Sequence, residues 1–101
     1  MSSTNFVKHV ETLGKAGVAR QLSAGSTTAN TALTANVFRI SMRAVGADIR
    51  FSIGSGAQTA TATSHFIANG ERLDFAVPPG ANIAVLRNGT TDGTLEVTEL
   101  S

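Results

Sequence analysis

The chain has no cysteine, no tryptophan and no tyrosine, and only two prolines in 101 residues. Without cysteine there is neither a disulfide framework nor a thiolate zinc site, so the domain relies on its own core or on partners for stability. Without Trp or Tyr, and with five Phe that fall mostly at inward positions, it lacks the exposed aromatic platforms on which sugars and single-stranded nucleic acids stack. Charged residues make up 15% of the chain, against about 25% in ordinary soluble domains. The formal net charge is +1, too even a balance for the clustered Lys and Arg of nucleic-acid binding. No stretch approaches the ~18 apolar residues of a membrane span, and residues 1–17, MSSTNFVKHVETLGKAG, lack the apolar centre of a signal peptide. The expectation is a chain with no nucleic-acid partner, no membrane and no secretory signal, in which Asn88-Gly89-Thr90 is a turn rather than a glycosylation site.

Groups that carry chemistry are equally sparse. His9 and His65 have no second ligand at a metal-like spacing. No serine lies in a Gly-x-Ser-x-Gly elbow, and Gly54-Ser55-Gly56 is not followed by the rest of a phosphate-binding loop. Asp92 beside Thr90 and Thr91 forms a turn more readily than a calcium site, which needs six or more oxygens. The sequence therefore predicts no enzyme, no cofactor and no metal.

What is present is alternation. Phe38, Ile40, Met42 and Ala44 share one face of a strand, with Arg39, Ser41 and Arg43 on the other; Ile49, Phe51 and Ile53 repeat the pattern against Asp48, Arg50 and Ser52. Gly46-Ala47 between them suits a tight hairpin, which would set Met42 beside Phe51 and Arg43 opposite Arg50. Asn69-Gly70 suggests a second hairpin, with Phe66 on the inward face and His65 opposite Asp74. Pro79-Gly80 fits the centre of a type II turn. A third hairpin spans 82–88 and 94–100, with Leu86 beside Leu95 and Ala84 beside Val97; Ile83 and Val85 make its first strand apolar on both faces. Residues 17–25 and 28–35 read as two short strands, and 54–61 as a flexible loop. Strands this closely spaced predict an all-β, antiparallel β-sandwich, jelly-roll-like, of seven or eight strands over residues 17–101. Residues 1–16 read as an N-terminal arm or short helix, whose Phe6, Val7, Val10 and Leu13 either make a protein contact or cap the domain's own core.

The arginines are the remaining signal. Like charges opposite one another on a sheet are destabilising. Either Arg43 and Arg50 splay into water or are offset by Asp48 or Glu96 of the same chain, or an anion of an adjoining subunit meets Arg39, Arg43 and Arg50, since Arg forks favour bidentate carboxylate contacts and interface hot spots.

From residue 49 on, the strand "IRFSIG", the Thr/Ala/Ser loop, "LDFAVPPG" and "IAVLRNGTTDGTLEVTEL" resemble small structural proteins of tailed bacteriophages. The resemblance implies a virion component: a capsid decoration or cement protein, a homotrimer bound to the major capsid protein or other virion proteins, assembled in the host cytoplasm. A neck or tail component, or a carbohydrate-binding or host-adhesion module, is the alternative expectation.

Overall fold

The computed structural model describes residues 16–100, which form eight strands and no helix: β1 (Ala16–Ala24), β2 (Ala29–Ala32), β3 (Arg39–Val45), β4 (Ile49–Ser55), β5 (His65–Ile67), β6 (Arg72–Ala76), β7 (Ala81–Arg87) and β8 (Gly93–Leu100). They make two four-stranded antiparallel sheets, ordered β1-β8-β3-β6 (sheet A) and β2-β7-β4-β5 (sheet B). The expected all-β sandwich of jelly-roll type is thus present. β1 starts at Ala16, the last residue of the expected arm, and Phe6, Val7, Val10 and Leu13 lie outside the described residues.

The core lies between the sheets. Period-two alternation turns Leu22 and Ala24 of β1, Ile40, Met42 and Ala44 of β3, and Leu95 and Val97 of β8 toward Ile49 and Phe51 of β4, Ile67 of β5, and Ile83 and Val85 of β7. Each large side chain removed from water contributes about 1.5–3 kcal/mol.

The connections differ from the sequence expectation. β4 and β5 are the only consecutive strands that share a sheet; every other connection crosses the sandwich. β3 and β4 form no hairpin: β3 lies between β8 and β6, and β4 between β7 and β5. The hairpins 62–68/71–77 and 82–88/94–100 are absent for the same reason. Leu95 pairs with Leu22 and Ala44 instead of Leu86, and Val97 with Arg20 and Met42 instead of Ala84. An apolar face needs burial, and burial against the opposite sheet serves as well as burial beside the next strand. Met42 and Phe51 are both buried, within one shared core and in different sheets.

Side-chain hydrogen bonds fix two of these crossings. The Gly46 amide donates to Asn69 Oδ1 (3.0 Å), and the Asn69 amide to Asp48 Oδ1 (2.7 Å). The β3–β4 and β5–β6 corners are thereby tied together. Gly46 has φ 91°, a conformation that L side chains rarely adopt. At the other end Gly80, φ 68°, takes the left-handed place of the expected Pro79-Gly80 turn and donates its amide to the Ala35 carbonyl (3.2 Å).

Candidate docking face and the roofed face opposite it

The two outer faces of the sandwich are finished differently. Sheet B is covered by its own chain. After β4, residues 56–64 run back over the outer surface toward β2 and return to β5. On the β2 side the Gln58 amide donates to Asn30 Oδ1 (2.9 Å) and the Ala60 amide to Thr28 Oγ1 (2.8 Å). In the middle Ser52 Oγ donates to Gln58 Oε1 (2.8 Å). The result is burial on a face that alternation alone would leave wet: Ala60 of the strap is 3% exposed and Ala84, the outward residue of β7, is 0%. The sequence expectation that this strand is covered on both sides is correct. The loop expected to be flexible is anchored at several points.

Arg50 belongs to this roof. Its Nε donates to Asn88 Oδ1 (3.1 Å), its Nη1 to the Ser64 carbonyl (3.0 Å), and its guanidinium lies 4.8 Å from the centroid of the Phe66 ring. Arg50 therefore does not face Arg43; its strand neighbours are Phe66 and Leu86. Phe66, expected on the inward face, points outward and is 40% exposed, and Ile67 takes the core position. Phe38 is also exposed, at the start of β3 rather than in the core.

Among the described residues sheet A has no such cover. Across β8, β3 and β6 its outward residues are Thr94, Glu96 and Thr98; Arg39, Ser41, Arg43 and Val45; and Arg72, Asp74 and Ala76. Arg39 and Arg43 lie here, on the opposite side of the molecule from Arg50, so the three arginines do not make one strip. Arg43 does face a like charge, but that charge is Arg72 on β6; its other neighbour is Glu96 on β8. Arg72 turns Nη1 to Ser41 Oγ (2.9 Å), and Gln21 Nε2 donates to Glu96 Oε1 (3.3 Å). Arg72 escaped the sequence reading, although its place before Leu73 and Phe75 marks an outward position.

A second feature missed from the sequence is Glu99. It continues the inward row Leu95, Val97 of β8 and is 1% exposed. Arg20 of β1 reaches it from the same interlayer space, with Nε 2.8 Å from Oε2. The Thr34 amide, in the β2–β3 connection, donates to the same oxygen (3.0 Å). Burial alone raises the carboxyl's pKa, but hydrogen bonds from the Thr34 hydroxyl and amide and from Arg20, with the Arg20 charge, outweigh it and hold Glu99 below the ordinary carboxylate value.

His65 and Asp74 are not brought together. His65 pairs with Phe51, with their rings 5.5 Å apart, and Asp74 lies on the outer face of sheet A opposite Ser41. His65, Phe51, Phe75 and Pro78 line a recess of about 200 Å³ at the seam between the two sheets. Among the described residues no three His, Asp or Glu side chains gather as a metal site requires.

No protein-family model matches the chain, and no curated protein matches it. Solved structures do share its architecture. A de novo designed double-stranded β-helix superimposes with TM-score 0.55 at 14% identity, covering 82% of this chain and 99% of that one. PirA superimposes with TM-score 0.56 at 14% identity, covering 84% and 95%. At that identity the likeness extends to the fold, an eight-stranded double-stranded β-helix or jelly roll, and no further.

Proposed function

We propose that the chain is a non-enzymatic structural protein of a tailed-bacteriophage virion, decorating or cementing the capsid shell through the outer face of sheet A. One observation carries the choice of face: residues 56–64 roof sheet B, burying Ala84 beneath them, and no segment among the described residues covers sheet A in the same way. This face carries Arg39, Arg43 and Arg72, the residue type enriched at interface hot spots, and the 44%-exposed Val45 at one end. The virion setting comes from the resemblance of residues 49–100 to small phage structural proteins. In that setting the partner is the major capsid protein, the chain acts as a homotrimer, and many modest contacts add through multivalency.

The test is reconstitution. Shells assembled without the chain are heated with and without the purified protein. Decoration is expected to raise the temperature at which the shells open, and charge reversal at Arg43 to reduce the gain. Shells that neither bind the chain nor gain stability overturn the proposal. A labelled chain found at the portal vertex or tail moves it to the neck or tail.

A carbohydrate-binding or adhesion role is favoured by a different feature, the polar recess of about 300 Å³ among Asp48, Asn69, Asn88, Thr90 and Thr91 at the loop end. Glycan-array binding that Asn88→Ala abolishes would transfer the function there.

A further inference from the structure

We infer that Arg43 and Arg72 form a two-fork seat for a single carboxylate of a partner protein. The inference rests on the docking reading of sheet A and adds the chemistry by which the partner is recognised.

The backbone pattern sets the geometry. The Ala44 amide donates to the Glu71 carbonyl and the Val77 amide to the Phe38 carbonyl. These bonds make 44/71 and 38/77 the hydrogen-bonded positions of the β3–β6 ladder, so by alternation Arg43/Arg72 is a non-hydrogen-bonded pair. Cα atoms of such a pair lie about 4.5 Å apart, against about 5.5 Å in a hydrogen-bonded pair, and their side chains come closer together. The amide and carbonyl of Arg43 then turn toward β8, which makes its pairing with Glu96 the wider one. Arg43 is therefore rooted nearer to the like charge than to the opposite one.

The side chains agree with this reading. Arg43 and Arg72 are both exposed. Arg72 satisfies one nitrogen with Ser41 Oγ (2.9 Å), and Glu96 accepts from Gln21. Arg43 makes no hydrogen bond or ion pair among the described residues. Among the described residues neither guanidinium of this neighbouring pair makes an ion pair with the flanking carboxylates of Glu96 and Asp74. A planar carboxylate placed between the two guanidinium groups accepts from both forks. A polyanion fits poorly, because Glu96 and Asp74 flank the pair and repel the charges on either side of the one being held.

The intact chain is titrated with N-acetyl-glutamate N-methylamide, which carries one carboxylate, while the arginine Nε–Hε resonances are followed, with the matching glutamine derivative as the neutral control. Arg43 and Arg72 are expected to move together along one saturating curve, further than Arg50 or Arg87, and only with the glutamate derivative. Arg43→Gln and Arg72→Gln should each weaken binding about ten-fold or more, the usual loss for a charge-assisted hydrogen bond. Arg43→Gln should also raise the thermal midpoint of the protein alone, because it relieves the repulsion; a purely structural arginine would lower it. The seat is overturned if the two resonances do not respond, if they respond equally to the glutamine derivative, if the midpoint falls, or if a ten-nucleotide poly-dT competes more strongly at equal charge. Binding of the glutamate derivative without shell decoration would remove the virion setting and leave the seat. Shell decoration unchanged by the double Gln variant would remove the seat and leave the virion setting.

Discussion

Glu99 shows how a single residue can join three elements. It occupies a core position of β8, and its partners come from β1 and from the β2–β3 connection. An unpaired buried charge is expensive, and Arg20 and Thr34 make this one tolerable. Its second oxygen, Oε1, is buried with no partner among the described residues, so the pair stabilises by geometry more than by full satisfaction. Removal of one partner of a buried ion pair costs roughly 3–5 kcal/mol. Arg20 is 27% exposed and can rehydrate, so Glu99→Ala should cost about 3 kcal/mol, the lower end of that range, in urea unfolding at neutral pH. The pH dependence has a definite sign. The folded carboxyl titrates below the unfolded one, so its contribution is complete above the unfolded value of about 4.3 and is lost as the pH falls through the folded value. The gap between wild type and Glu99→Gln should therefore close in acid. A gap that stayed constant between pH 7 and pH 3 would show that the charge of Glu99 contributes nothing. The sequence offered a signal here: an acid in register with Leu95 and Val97 faces the core.

At the scale of elements, the strap of residues 56–64 is the segment that side-chain chemistry positions most visibly. Arg50 clamps its end at the Ser64 carbonyl and also holds Asn88 of the β7–β8 connection. Arg50→Ala should destabilise the protein by about 1–2 kcal/mol, given charge-assisted hydrogen bonds at a half-exposed site and one cation–π contact. Arg50→Lys, which keeps the charge but lacks the fork, should lose most of the same amount. Both variants should be cut faster by thermolysin within 56–64, because release of the strap is a local opening; unchanged cleavage would mean that Asn30 and Thr28 hold it unaided. This scale also marks the limit of what the sequence shows. Strand positions, the Gly80 turn and the inward faces of β3, β4 and β8 follow from alternation and turn chemistry. Pairing does not, because alternation identifies which face is buried and not what buries it. Hairpin logic therefore sets Arg43 against Arg50 and His65 against Asp74, and the structure separates both pairs. Phe66 was misplaced because β5 has only three residues, too few for a period to show, and because the strap makes the outer side of sheet B a place where an aromatic ring can rest under an arginine.

At the scale of the whole molecule, sheet A joins β1 to β8 and sheet B joins β2 to β7, so the first and last described strands complete each other. Such non-local pairing places folding in the milliseconds-to-seconds range, about that of other all-β sandwiches, rather than in microseconds; stopped-flow refolding checks this. A chain ending at Asp92 lacks β8, which lies between β1 and β3, and should show no cooperative unfolding transition. A chain that still melted cooperatively would mean that sheet B and β3 suffice for a core. The strap over sheet B, without a counterpart over sheet A among the described residues, gives the body a front and a back. A particle that adheres through sheet A alone, as proposed above, would join a layer without offering a landing site for a second one, so a coat of such molecules would stop growing at a thickness of one.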